Sequence, residues 1–423
     1  MKVLIVGKDA LALDFCNSLK KDGVDVKWYI QDPEQHEIGE GIINKSEDWE
    51  KDKDWADVIV FEDTGFGTRA SELKEDGYVI VGGAELCDNL EAKRDFGAQV
   101  AKEYMDLLIP KDYEFNDFEE AINFIKENPK RYVVKFNGNA GNIKDLVYCG
   151  KIKSGEDVIE ILYYYKKIWQ KEWGDVSFIL QEFIQGIEVG ITGYFDGSSW
   201  VMPYYIDHEY KYNLAGNVGV LTGQEGEAMR WFEEPTDLFN STFKKLIPLL
   251  KKAGYVGSFN INGIANEDGY HFLEFTPRFG YNSTSIELEF FKHNGYGAKD
   301  LLNRLISNEY FEPHPTYSLG VLITIPPYPH RIESIDPSGI PISFLRYVSF
   351  HPHEVKQAND ILQTAGTLGY IGTVASAGSV FELVQKRVYE SINDIVLPRI
   401  QYRNDIGDNF ITQLEQLEEW GYL

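Results

Sequence analysis

The stretch YHFLEFTPRFG, residues 270–280, places Glu274, Thr276 and Arg278 at a spacing of two in a segment that is otherwise largely aromatic and aliphatic. In an extended chain residues i, i+2 and i+4 point the same way, so these three share one face while Phe275 and Pro277 take the other. A carboxylate beside a guanidinium, on a strand that ends at Gly280, suits a bound cation and phosphate oxygens. Carboxylate oxygens hold Mg²⁺, and a guanidinium forks onto phosphate. The competing reading is a solvated strand end with a surface ion pair, and the stretch taken alone favours that one slightly.

The chain around it has 423 residues, too many for one ordinary core, which predicts two to four domains or subdomains. Hydrophobic residues at 43% are enough for globular cores. No apolar run approaches membrane-spanning length. The start MKVLIVGKDALALDF turns into a strand-and-helix pattern with an aspartate inside it, unlike a secretory signal, so a cytoplasmic location is expected. Cys16, Cys87 and Cys149 are widely spaced, odd in number and without metal-ligand spacing, and read as reduced core thiols. A formal charge of −26 repels a polyanion, which argues against extended nucleic acid binding and for small-molecule substrates.

KVLIVG, VDVKWYI, ADVIVFED and GYVIVGG read as strands separated by helical or loop spacing, with a helix over Ala10 to Lys21. That alternation predicts a parallel sheet whose ligand-facing loops lie at the strand carboxyl ends. LEAKRDFGAQVAKEYM reads as a helix, and RYVVKFNGNAGNIKDLVY as strand, glycine and asparagine loop, strand. EDVIEILYYYKKIWQKEW reads as a packed amphipathic helix. The run from Val176 to Tyr212 contains three strand-like segments and predicts an antiparallel meander, and LFNSTFKKLIPLLKKAG predicts a helix. YVGSFNINGIANEDGYHFLEF then predicts a hairpin turning at Glu267, Asp268 and Gly269. SLGVLITIPPYP predicts a set of short strands, and VFELVQKRVYESINDI a closing helix.

The order of these pieces changes the balance at residues 270–280. Lys93 on a helix, Lys135 on a strand beside a flexible loop, the strand ILQEFIQGIEVG, and Glu274 with Arg278 together resemble an ATP-grasp constellation. The whole chain resembles the phosphoribosylamine–glycine ligase (glycinamide ribonucleotide synthetase) family, from the first strand to QYRNDIG, which is similar to that family's Tyr-Arg-x-Asp-Ile-Gly ending. The resemblance implies a mixed α/β and α+β architecture. Residues 1–93 would form an amino-terminal parallel-sheet domain, 94–315 an ATP-grasp domain with a lid at about 115–185, and 316–423 a small β-rich carboxyl-terminal domain. It implies a carbon–nitrogen ligase of purine biosynthesis, using ATP and Mg²⁺ with Mn²⁺ as an alternative, that joins an amino acid, glycine by default, to an amine through an acyl phosphate. A monomer or homodimer is expected.

Residue by residue, the resemblance implies that Lys93 and Lys135 meet ATP phosphates. Gln181, Glu182, Phe183 and Ile184 would form the segment whose backbone reads adenine, and Glu188 would accept the ribose hydroxyls. Glu274 corresponds to the metal carboxylate, with Thr276 or the hairpin residue Asn262 as a second ligand, and Arg278 to the arginine that steadies the transferred phosphate. Asp207, His208 and Asn217 are candidate substrate contacts, with a structural histidine equally compatible at 208. For Lys135 the residues argue independently, since an unpaired ammonium in an apolar strand is costly.

Four departures accompany the resemblance. Thr276 stands where the family has Asn, and Tyr281, Asn282 and Ser283 stand where it has Asp-Pro-Glu. The lid reads NAGNIKDL in place of Gly-Lys-Gly-Val, with Gly141 kept and Lys144 displaced, and GKDALALD replaces the amino-terminal Gly-Gly-Arg-Glu-His segment. Two alternatives follow: the same chemistry on a different amine, such as a modified nucleotide or nucleobase, or a nucleotide-binding paralogue with impaired catalysis.

Overall fold

A computed structural model describes residues 1–136, 146–169, 175–332 and 334–423. The chain divides into two compact units, one of residues 1–106, 188–263 and 274–423, the other of 107–187 with 264–273. Among the described residues no helix is long and apolar enough to cross a membrane. Cys16 and Cys87 are buried free thiols, and Cys149 is a half-buried one.

The first unit begins with β1 (Lys2–Gly7), β2 (Asp25–Ile30), β3 (Asn44–Lys45), β4 (Val58–Phe61) and β5 (Ile80–Val81). They form a parallel sheet in the order β3-β2-β1-β4-β5, as the alternating pattern predicts. β1 and β4 bury continuous aliphatic runs, the signature of parallel strands covered on both faces. The first helix starts at Leu13 rather than Ala10, so residues 8–12 form a loop at the carboxyl end of β1. The single helix expected over residues 90–105 is two, Glu85–Ala92 and Arg94–Met105, broken at an extended Lys93.

The second unit holds β6 (Asp112–Phe115), β7 (Tyr132–Phe136), β8 (Tyr148–Cys149) and β9 (Phe178–Glu182), antiparallel in the order β6-β9-β7-β8. Its core is aromatic: Phe118, Tyr132, Phe136 and Phe178 pack with Ile122, Leu162 and Leu180. This corrects the expected meander. β9 turns Phe178 and Leu180 into that core and pairs with β6 and β7, while only the next two segments pair with each other.

Those two are β10 (Ile187–Phe195) and β11 (Trp200–Glu209), followed by the ribbon β12 (Tyr212–Leu214) and β13 (Val218–Leu221), β14 (Gly226–Phe232), and the hairpin β15 (Gly257–Asn266) and β16 (Gly269–Thr276). Later come β17 (Tyr317–Thr324), β18 (Ser343–Phe344), β19 (Phe350–Pro352), β20 (Val355–Ala358), β21 (Ile361–Thr364), β22 (Tyr370–Gly378) and β23 (Ile395–Val396). An eight-stranded sheet runs β16-β15-β10-β11-β14-β17-β22-β19, and β18 with β23 and β20 with β21 form small ribbons. SLGVLITIPPYP therefore contributes one long strand instead of several short ones. The chain after 316 extends this sheet through β17 and β22, with the helices Ser283–His293 and Phe381–Ile392 against both strands. LFNSTFKKLIPLLKKAG is likewise two helices, Asp237–Ser241 and Phe243–Lys252.

Candidate active site

On the β16-β15-β10-β11 side of the large sheet, side chains of one face converge on a residue that sequence reasoning missed. Lys211, just past β11, places Nζ 2.8 Å from Glu188 Oε1, 3.1 Å from Glu209 Oε2 and 3.8 Å from Glu274 Oε1. Asn262 donates from Nδ2 to the same Glu209 Oε2 at 2.9 Å. Desolvation opposes the Lys211 charge, but Glu188, Glu209 and Glu274 outweigh it and hold its pKa well above the ordinary lysine value. Deeper on this face Asp207 accepts from Thr192 Oγ1 at 2.8 Å, and burial together with Glu209 pushes its carboxyl well above the usual range. Gly190 makes room for it, since a Cβ there would fall 2.2 Å from Asp207 Oδ1. Glu227, on the next strand opposite Glu209, is likewise pushed up by burial and by Asp207.

The triplet at 274–278 keeps its predicted alternation, with Phe275 and Pro277 buried and the polar three less so. Its charges separate, however. Glu274 is 60% exposed and looks toward Lys211, whereas Arg278 lies past the end of β16, mostly buried, with Nε 3.2 Å from Glu91 Oε1. The Arg278 guanidinium also covers the Tyr281 ring at 4.1 Å and donates to Phe279 O at 3.1 Å. The neighbouring substitutions all have jobs: Asn282 accepts from Thr373, and Ser283 donates to Glu227 at 2.6 Å. Just beyond Arg278 a cleft opens at the carboxyl ends of β1 and β4, lined by Leu11, Asp14, Phe15, Glu62, Tyr281 and Thr284 among others. Asp14 accepts from buried His351 Nδ1 at 2.8 Å, and His351 Nε2 faces Glu289 at 3.6 Å. Burial works against an imidazolium here, but Asp14 and Glu289 prevail and raise His351 to about 9.

In the second unit Lys135 is half-buried and donates to Gln181 Oε1 at 3.0 Å, so the apolar strand does not leave its ammonium uncompensated. Glu182 accepts from Tyr113 and Lys130 at 2.9 and 2.8 Å. The Glu182 N–H donates to Lys111 O and the Phe183 N–H to Arg131 O, while Arg131 covers the Phe183 ring. Those two amides are therefore engaged within the fold. The run with Gly141 and Lys144 lies outside the described residues.

Comparison with known proteins bears on what this arrangement is for. The phosphoribosylglycinamide synthetase ATP-grasp (A) domain matches residues 92–284. The phosphoribosylamine–glycine ligase of Clostridium acetobutylicum is 24% identical over 358 residues, 80% of each chain, and that of Methanocaldococcus jannaschii 22% over 436 residues, 96% of each. The chain is similar to phosphoribosylamine–glycine ligase over most of its length, at low identity. The crystal structure of that ligase from Thermotoga maritima shares the fold, with a TM-score of 0.69 at 19% identity, covering 96% of this chain and all of that one.

Within the family frame, the expected residues fall into distinct places. Glu188, Asn262 and Glu274 meet through Lys211 and Glu209. Lys93 is exposed, and it sits at a helix break rather than on a helix. Asp207 and His208 do not act as a pair. Consecutive strand residues face opposite sides, and His208 turns to Gln413 at 2.7 Å and the Phe410 ring, where burial lowers it to about 4. Asn217, in the left-handed region at φ 55°, accepts from both terminal nitrogens of Arg403 at 3.1 Å. Arg403 also donates to Tyr212 O at 2.8 Å and grips Asp405 through two 2.7 Å bonds. The Tyr-Arg-x-Asp-Ile-Gly ending thus fastens the β12–β13 ribbon that follows Lys211.

Proposed function

We propose that this chain is an ATP-dependent carboxylate–amine ligase that joins a small amino acid, glycine by default, to an amine. The observation that carries the reading is the sheet face on which Glu188, Glu209 and Glu274 surround Lys211 with Asn262 alongside. In this reading the γ-phosphoryl group of ATP passes to a carboxylate oxygen, giving an acyl phosphate and ADP. The amine nitrogen then bonds to the acyl carbon, and the carbon–oxygen bond to phosphate breaks. Lys135 binds the nucleotide phosphates, Glu188 the ribose, and Arg278 the migrating phosphoryl group, its planar fork fixed beforehand by Glu91 and Tyr281. Lys93, the 181–184 segment, Asp207 and Asn217 belong to the same proposal at the positions described.

The donor set fits Mg²⁺. Among the described residues no group of three His, Cys, Asp or Glu is set to cage a metal ion. Mg²⁺ is usually held by one or two carboxylates together with substrate phosphates, which Glu274 with Glu209, Asn262 or Thr276 would supply. When bound, the ion neutralises charge on the phosphate oxygens. A cytoplasmic location is part of this proposal.

A second reading keeps the chemistry and changes the amine. It is favoured by Asp14, which lies in the loop-to-helix segment that replaces the family's Gly-Gly-Arg-Glu-His and is held by His351. ADP release measured against a panel of amino acids and amines tests both. ATP binding with no ADP formed in the presence of any carboxylate and amine would leave only an impaired nucleotide-binding protein.

A further inference from the structure

Among the described residues, the cleft at the carboxyl ends of β1 and β4 is lined by two carboxylates, Asp14 and Glu62, and by no lysine or arginine. Asp14 already faces the His351 imidazolium. Glu62 does not have such a partner. It is only 4% exposed, and among the described residues its Oε1 has no hydrogen-bond partner. Thr284, 8% exposed, brings a second unpartnered oxygen to the same cleft. The position of Glu62 is built into the fold: a Cβ on Gly7 would fall 2.1 Å from Oε1.

An acid buried without a counter-charge is costly, and the cost disappears when a cation with hydrogen-bond donors arrives. The nearby cations are committed elsewhere. Arg278 is held by Glu91 and Tyr281, and Lys8 lies 6.0 Å from the Phe66 ring centroid. A phosphate ester entering here would find no lysine or arginine among the described lining residues to neutralise it, and Asp14 is already paired with His351. An ammonium would bring the missing charge and three donors.

Resting on the ligase reading above, we infer that this cleft takes the acceptor as a protonated amine without a phosphate group, its ammonium held by Glu62 with Thr284 beside it. The ammonium passes one proton to the Glu62 carboxylate. Its nitrogen lone pair then forms the carbon–nitrogen bond, the acyl carbon–oxygen bond breaks, and phosphate leaves with that electron pair and takes up a second nitrogen proton. Burial, Asp63 and Asp9 raise the proton affinity of Glu62 against the opposing pull of Arg278, which suits it to this role.

The test compares ethanolamine with phosphoethanolamine, and 4-aminobutan-1-ol with its phosphate ester 4-aminobutyl phosphate, as acceptors in the presence of ATP, Mg²⁺ and glycine. Hydroxylamine serves as an acceptor-independent trap of the acyl phosphate. We expect the unphosphorylated member of each pair to be used about tenfold better or more, and Glu62→Gln to lower the ratio of amine-dependent to hydroxylamine-trapped turnover about tenfold. Three results would overturn the inference while leaving the ligase reading intact, provided hydroxylamine is trapped: preference for the phosphorylated members, use of none of the plain amines, or a ratio unchanged in Glu62→Gln. The wild-type comparison does not depend on the variant folding. Failure to trap any hydroxamate would overturn the ligase reading and this inference with it.

Discussion

On the sheet face around Lys211 three carboxylates surround an ammonium supplied by the chain itself, whereas in the Glu62 cleft the acids are joined, among the described residues, by no lysine or arginine. Both regions lie in the first unit, and both collect acids where like charges repel. The first is compensated internally, so its carboxylates keep their geometry before any ligand arrives. The second leaves Glu62 dependent on what enters. Side chains with internal partners are poised to handle charge that moves during a reaction, while a buried acid without one selects for a ligand's charge.

The largest effects should come from the charged groups proposed to handle phosphoryl transfer. Glu274→Gln preserves shape but removes charge, and Arg278→Lys replaces a fork with a point charge. Each should lower turnover roughly a hundredfold or more, with a smaller change in ATP affinity. Steady-state kinetics alongside calorimetry checks this, and equal losses in both quantities would place the two residues in ground-state binding instead.

Lys135→Ala, in the second unit, should weaken ATP binding roughly tenfold to a hundredfold, the worth of a charge-assisted contact. Isothermal calorimetry reads it directly. An unchanged dissociation constant would mean that Lys135 serves contacts within the fold and not the nucleotide.

The internal compensation around Lys211 can be broken separately. Lys211→Met leaves Glu188, Glu209 and Glu274 facing one another, so the thermal unfolding midpoint should fall. The loss is on the order of 1–2 kcal/mol, moderated because the lysine side chain is 25% exposed. A midpoint equal to wild type would show that solvent already screens the cluster.

The smallest effect concerns pH. His351, flanked by Asp14 and Glu289, is raised from an unfolded value near 6.5 to about 9. Its contribution to stability is therefore complete below about pH 6.5 and disappears as pH rises through about 9. Melting curves between these limits should slope downward in the wild type and lose that part of the slope in His351→Gln.

The elements were legible where the signal is local. The aliphatic run of β1, the alternation around Phe275 and the turn at Asp268 follow from periodicity two and turn chemistry, which neighbouring residues settle among themselves. The helix break at Lys93 was not legible, because no glycine or proline marks it. The departure of β9 to another sheet was set by an aromatic core assembled from residues 118 to 180. Glu188, Asn262 and Glu274 could be named from family resemblance. Lys211 could not, because its partners come from different strands whose adjacency is a property of the sheet order β16-β15-β10-β11. A lysine two residues after Glu209, close to a strand end, was the only available hint. Arg278 was placed with Glu274 by spacing alone, but the chain leaves the strand at Pro277 and carries the guanidinium to Glu91.

The central claim is that a carboxylate is activated by direct phosphorylation. It is tested most directly with glycine carrying oxygen-18 in its carboxyl group, incubated with the enzyme, ATP, Mg²⁺ and an accepted amine, with the released phosphate analysed by mass spectrometry. The account predicts that one labelled oxygen appears in phosphate for each amide formed. Amide formation accompanied by unlabelled phosphate would contradict it.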